Sequence, residues 1–214
     1  MSLDMPVVED HPNRIPFHGV LTYANTKSDK APSGARGHRI VLTRAAVLQA
    51  LPSLLGMSVN FKAGWDGHDY RQKCGVITAA ELVDSELRVA GYIFKRDFPE
   101  VETKSKSNEL GMSYELENAY VEDMRQMVWT ITKFTFNGAS ILLKEKAAYK
   151  ATSFTIGESW QKDSTKSSFS VRLEKTPRLE QPNQAVWLRA FHWLHQIGKK
   201  VKMANGQTKQ SGTT

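Results

Sequence analysis

The sequence predicts a mainly β domain with flanking helices, an α+β arrangement built around a small antiparallel sheet or barrel. Two observations predict it: six short β-rich segments separated by turn residues fill the middle of the chain, and helical apolar spacing is confined to brief stretches. With 40% hydrophobic and 24% charged residues, the composition is that of a globular protein and excludes wholesale disorder. The length of 214 residues suits one domain with an appendage.

Several stretches lack an apolar period. Residues 1–14 are polar and contain proline, and residues 25–38 are rich in Gly, Ser and Lys, so we expect both to be loops. From Gly157 to Asn183 the composition shifts to Ser, Thr, Lys and Gln, which predicts a linker. The chain therefore divides into four predicted parts: an N-terminal extension (1–14), a β-barrel domain (15–157), a linker (158–183) and a basic amphipathic helix with a disordered tail (184–214).

Two short helices are predicted within the β domain. Thr43 is a favourable N-cap for a helix over 44–51, which Pro52 ends. Asp97 precedes a Phe-Pro pair and predicts the N-cap of a second helix, which ends by Gly111 at the latest. The first helix is indicated by apolar residues at helical spacing: Ala46, Val47, Ala50 and Leu51.

The predicted strands are short and closely spaced, a pattern that favours antiparallel pairing. Alternation is clearest in residues 86–94, where Leu87, Val89 and Ile93 fall on one face. The six segments lie at 58–62, 74–78, 86–94, 111–116, 127–136 and 139–143.

The C-terminal part carries the net charge of the chain. Residues 1–158 hold 19 basic and 19 acidic side chains, whereas residues 159–214 hold 10 basic and 3 acidic ones, so the tail accounts for the net charge of +7. A basic tail on a neutral body predicts an acidic partner for the tail rather than a nucleic-acid surface over the whole domain. A helix over 184–200 is predicted by a stripe of Trp187, Leu188, Phe191, Leu194 and Ile197.

Several classes of protein are excluded or disfavoured by what the sequence lacks. No window approaches the run of about 18 apolar residues that a membrane span needs, and the first residues lack the basic-then-apolar order of a signal peptide. Cys74 is the single cysteine, which excludes an internal disulfide and a Cys-based zinc knuckle. We therefore expect a cytosolic protein in which Cys74 is a small buried hydrophobe.

The segment W-D-G-H-D at 65–69 places His68 in a turn just before a predicted strand. Three interpretations stay open. In the first, the imidazole is catalytic, a role often found in loops on rigid scaffolds. In the second, His68 binds a metal ion together with Asp66 and Asp69, because imidazole and carboxylate both ligate divalent ions. In the third, the segment is a surface turn.

Ser113, in E-L-G-M-S-Y-E-L, is the second candidate. On a strand of period 2, Ser113 shares a face with Glu115 and Glu117, so its hydroxyl lies among carboxylates. Serine needs a neighbouring base to act as a nucleophile at neutral pH. His68 is the histidine expected in the β-rich core; the others are assigned to N-terminal loops and a strand edge (His11, His18 and His38) or to the tail helix (His192 and His195).

The order of these motifs resembles a known family. A turn histidine followed by C-G-V-I-T, then L-R-V-A-G-Y-I-F, L-G-M-S and F-N-G-A-S-I-L-L-K-E-K-A-A-Y, resembles the prohead maturation proteases of tailed bacteriophages, over roughly residues 15–155. The resemblance implies a serine endopeptidase that cleaves scaffold and capsid-protein extensions inside the procapsid. It also implies a small β-barrel flanked by helices, similar to the herpesvirus assemblins, with Ser113 as nucleophile and His68 as general base.

The resemblance implies partners and a location as well. The partners are the phage scaffold and major capsid proteins, with self-association; no cofactor, membrane or specific nucleic acid is implied. The protein is expected in the host bacterial cytoplasm, inside the procapsid.

The third member of the site is open, because Asn137-Gly138-Ala139-Ser140 stands where relatives carry an acidic residue or a second histidine. Glu115 and Asp69 are the candidates; otherwise the enzyme works as a dyad. Gly138 and Ala139 either admit substrate backbone or allow tight sheet packing. Two rival functions remain: a catalytically degenerate homologue acting as a capsid assembly or scaffold-binding protein, and, more distantly, a metal-dependent hydrolase.

Overall fold

The structure is a computed structural model that describes residues 1–4 and 11–157. The predicted linker and basic tail, from residue 158 onward, lie outside the described residues. Two short helices, α1 (Arg44–Ala50) and α2 (Pro99–Ser105), flank the strands, and a 3₁₀ turn follows α1 at Leu51–Leu54. The described residues contain eight strands: β1 (Arg14–Tyr23), β2 (Arg39–Leu42), β3 (Ser58–Phe61), β4 (Lys73–Val83), β5 (Glu86–Phe94), β6 (Leu110–Val121), β7 (Val128–Leu143) and β8 (Ser153–Ile156).

All eight strands belong to one curled sheet in the order β2-β7-β3-β4-β5-β1-β8, with β6 paired to β7. β7 organises the sheet, because β6 pairs antiparallel along one edge while β2 and β3 pair parallel along the other. The remaining described strand pairs are antiparallel. Where the sheet curls, the backbone N–H of Met112 on β6 donates to Thr152 Oγ1 at 3.3 Å, just before β8. The mainly β prediction is confirmed.

The core fills the inside of the curl. Leu87, Val89 and Ile93 are fully buried, as their alternation predicts. Cys74 is also fully buried, and burial raises the pKa of its thiol to about 12, as expected of a structural cysteine. The Thr43 cap is confirmed: its Oγ1 accepts a hydrogen bond from the Ala46 N–H at 3.3 Å, a contact worth about 1 kcal/mol to the helix.

Three strands were not predicted from the sequence. In β1 the alternation of apolar and polar residues is not evident, because Pro16, His18 and Gly19 interrupt it. The strand nevertheless pairs with both β5 and β8. A side chain at Gly19 would place its Cβ 2.1 Å from the Ser153 carbonyl oxygen, so glycine permits this pairing. β2 and β8 have four residues each, too few to show a period, and are stabilised by their neighbours in the sheet.

Two local predictions are wrong. The segments at 127–136 and 139–143 are one strand, because Asn137 and Gly138 continue β7 instead of forming a turn. Asp97 does not cap α2: the N-cap is Phe98, without a side-chain hydrogen bond. Asp97 instead accepts a 2.7 Å hydrogen bond from the Asn13 side-chain amide.

No helix among residues 1–4 and 11–157 has both the length and the apolar character needed to cross a membrane.

Candidate active site

His68 lies in the turn between β3 and β4, as predicted. Gly64 and Trp65 both have positive φ, 90° and 59°, which reverses the chain direction within a few residues. The Trp65 ring stacks on Phe61, with centroids 4.8 Å apart, and the Trp65 carbonyl accepts a 2.9 Å hydrogen bond from the Leu143 N–H. The turn is therefore attached to β3 and to the end of β7.

Ser113 and Glu115 lie on β6, where the predicted alternation is observed. Met112 is buried, Ser113 is half-buried, and the Glu115 side chain is 47% exposed. Because side chains two residues apart share a face of a strand, Ser113 and Glu115 both face the solvent side of the curled sheet.

The structure brings Glu115 and His68 together. His68 Nδ1 lies 3.0 Å from Glu115 Oε1, although the two residues are on different elements. The contact has the distance of an ion pair but not the alignment of a hydrogen bond. Burial lowers the pKa of His68, and the Glu115 carboxylate offsets part of that effect. The ring is therefore neutral at pH 7, the state in which an imidazole can accept a proton.

His68, Ser113 and Glu115 line the same cleft, whose volume is about 1030 Å³. One wall is the loop over residues 30–36, and the cleft continues along β6 as far as Val121. Trp129, which stacks on His38 with centroids 4.4 Å apart, also lines the cleft, and its Nε1–H donates to the carbonyl of Met124, another lining residue, at 3.1 Å. The three predicted site residues thus open onto one elongated space.

Gly138 makes room for the Glu115 carboxylate. The two residues are direct partners in the β6–β7 ladder. A Cβ on Gly138 would lie 2.8 Å from Glu115 Oε2, closer than real contacts allow. The sequence left two interpretations of Gly138, room for a substrate backbone or tight sheet packing. Neither describes it fully, because the Glu115 side chain occupies the space beside it.

The two acidic residues of the turn itself have different partners. Asp69 Oδ1 accepts a 2.9 Å hydrogen bond from the Arg71 N–H, an Asx-type contact that shapes the turn. Asp66 is ion-paired with Lys62 at 3.1 Å. Within the described residues, no group of three or more His, Cys, Asp or Glu side chains is placed to hold a metal ion. These residues therefore offer no ligand cluster for the metal site considered around His68.

His18 is not in a loop but on β1, inside the sheet. Its Nδ1 is buried, and it lines a separate cavity of about 240 Å³ with Arg88 and Ser153. The assignment of His18 to the N-terminal loops and strand edge is corrected in this respect. Ser113 does not line that cavity, so His68 remains the histidine that shares a cleft with it.

Asn60 and Ser140 were missed by the sequence analysis, although both contact the His68 turn. Asn60 is 4% exposed and Ser140 is fully buried. The available signal was a polar residue inside an apolar strand, in S-V-N-F and A-S-I-L-L, because a buried polar side chain needs a specific partner.

A hydroxyl, an imidazole and a carboxylate in one cleft are the residue types of an acyl-transfer site. The paired groups lie on β6 and on a turn tied to β3 and β7, which are rigid supports. Compared with known proteins, the chain matches no protein-family model and no curated protein.

Proposed function

We propose that the protein is a serine endopeptidase, with Ser113 as nucleophile, His68 as general base and Glu115 as the carboxylate that orients the imidazole. The observation that carries the proposal is the 3.0 Å approach of His68 Nδ1 to Glu115 Oε1, in the cleft that Ser113 also lines. Of the two candidates for the third position, Glu115 is favoured because Asp69 bonds within its own turn.

The carboxylate selects the tautomer of His68. A negative charge beside Nδ1 favours the form in which Nδ1 carries the hydrogen. The lone pair of the neutral ring is then on Nε2, which is free to accept the Ser113 hydroxyl proton. Burial keeps the ring neutral before reaction, and Glu115 stabilises the imidazolium that forms during it.

The reaction is acyl transfer in two halves. The Ser113 oxygen bonds to the scissile carbonyl carbon while its proton passes to His68, and the C–N bond then breaks as His68 returns that proton to the leaving amine. In the second half, water bonds to the acyl carbon, gives a proton to His68, and the ester bond to Ser113 breaks with return of that proton to the hydroxyl.

The shape of the cleft favours a polypeptide substrate. Its lining on β6 runs from Ser113 to Val121, which at about 3.3 Å per residue is about 26 Å. An extended peptide of several residues fills such a length, whereas a small ester or amide occupies a fraction of it. The cleft therefore supports an endopeptidase over a hydrolase of small molecules.

The biological setting is proposed from the resemblance of the motifs. The curled mainly β sheet with two short helices is compatible with a barrel similar to that of the assemblins. The substrates are then scaffold and major capsid proteins, cleaved inside the procapsid in the host bacterial cytoplasm. A degenerate homologue that only binds these partners would have the same fold and motif order, so catalysis is what separates the two functions.

The test is co-expression of the full chain with the phage scaffold and major capsid proteins, followed by intact-mass spectrometry of every component. Processed scaffold with wild type and none with Ser113→Ala supports the protease. The matched control is Ser153→Ala, which removes a hydroxyl on β8 that does not line this cleft and should process normally. Incorporation into procapsids without any cleavage would contradict the proposal and favour the assembly protein.

A further inference from the structure

Three polar residues form one row across three neighbouring strands. Asn60 on β3 is the register partner of Ser140 on β7, and Ser140 is the register partner of Ser113 on β6. Register partners project from the same face of a sheet with Cβ atoms about 5 Å apart. The side chain of Ser140 thus lies beside that of Ser113, on the face of the sheet that the His68 turn covers.

The row contacts the His68 turn on both sides of the histidine. Ser140 Oγ donates to the Gly67 carbonyl at 3.2 Å, one residue before His68. Asn60 Oδ1 accepts from the Asp69 N–H, also at 3.2 Å, one residue after it. The backbone of His68 is therefore held between two side chains that belong to the sheet rather than to the turn.

Burial makes these contacts specific. Ser140 is fully buried and Asn60 is 4% exposed, so the polar groups depend on the protein for hydrogen-bond partners. Ser140 is for the same reason unsuited to be a nucleophile. Neither residue lines the cleft, so neither is placed to contact a substrate.

We propose that Ser140 and Asn60 are positioning residues that hold the His68 turn against the sheet, so that the imidazole stays in the cleft that Ser113 and Glu115 also line. The role rests on the proposed function, because it matters for turnover only if Ser113 and His68 react together. A displacement of about 1 Å between reacting groups can cost about 100-fold in rate.

The first test is kinetic, on the full chain with a peptide that spans a scaffold cleavage site. Ser140→Ala should lower kcat about 10- to 100-fold with KM within twofold of wild type, because substrate does not touch this residue. Ser140→Thr keeps the hydroxyl and should recover most of kcat. The matched control is Ser153→Ala, which removes one serine–backbone hydrogen bond, to the Val20 N–H at 3.1 Å, away from the cleft.

The second test measures the pKa of His68 directly and does not require proteolysis. Glu115 faces His68 from β6, and Asp69 and Asp66, which is ion-paired with Lys62, lie on the turn that carries His68. If Ser140→Ala loosens the turn, the ring becomes more hydrated, and its pKa measured by NMR should rise toward the ordinary histidine value. Ser153→Ala should leave that pKa unchanged.

These outcomes are distinguishable. A wild-type protein that cleaves nothing overturns the proposed function, while the NMR shift still reports on the role of Ser140 in placing the ring. Unchanged kcat and unchanged His68 pKa in a folded Ser140→Ala protein overturn the positioning role. If Ser140→Ala loses its cooperative thermal transition, kcat and the His68 pKa are compared between wild type and Ser140→Cys instead. Cysteine keeps the side-chain shape but has only a weak S–H donor.

Discussion

Gly138 lies directly opposite Glu115 in the β6–β7 ladder, and the carboxylate occupies the space where a Cβ on Gly138 would stand, 2.8 Å from Oε2. Through this contact Gly138, which has no side chain, affects where the Glu115 charge lies relative to His68. It also makes Gly138 a means of moving the carboxylate without removing it.

Gly138→Ala should reduce kcat/KM about 10-fold or more while the protein stays folded. The added methyl group displaces the Glu115 carboxylate from His68, but alanine is tolerated in a strand where φ is not positive. The measurement is peptide cleavage together with thermal unfolding. In a Glu115→Gln background the same substitution should have little further effect, since both changes act on one contact; a full additional loss would contradict this account.

Glu115→Gln should lower kcat by about 100- to 10,000-fold, the range expected when an orienting carboxylate is lost. It should also move the acidic limb of the pH–kcat/KM profile to lower pH. The Glu115 charge raises the pKa of His68, so its removal lets burial depress that pKa further. Glu117→Gln, on the same face two residues further, is the control and should leave both quantities unchanged.

Wild-type activity should rise with pH, with the midpoint of the rise below the ordinary histidine pKa of about 6.5, because the active ring is neutral and its pKa is lowered by burial. The profile of kcat/KM between about pH 4 and 8 measures it. An acidic limb with an apparent pKa well above 7 would assign the essential base to another group.

Ser113→Ala and His68→Ala should each abolish cleavage, and the double variant should be little worse than either. The nucleophile and its base act in the same proton-transfer step, so the loss of either one already prevents that step. Turnover of a peptide substrate, followed to the detection limit, is the measurement. Losses that multiply in the double variant would show that the two residues act independently.

The local features of this protein follow from short stretches of its sequence. The period of residues 86–94 was enough to place Leu87 and Ile93 in the core, and the Thr43 cap follows from neighbouring residues alone. Period 2 was also enough to place Ser113 and Glu115 on one face of β6. Each of these is a relation within a few residues, where backbone geometry decides the outcome.

Which residues meet across the sheet depends on the order and register of the strands. Glu115 lies 3.0 Å from His68 because β7 lies between β6 and β3 and brings the β3–β4 turn beside β6, whereas Asp69 bonds to the Arg71 N–H within its own turn. The continuity of β7 through Gly138 has a similar cause, since the ladder with β6 stabilises a residue that favours a turn locally. Contacts between distant segments depend on sheet order and register, which have no signal in any single stretch of sequence.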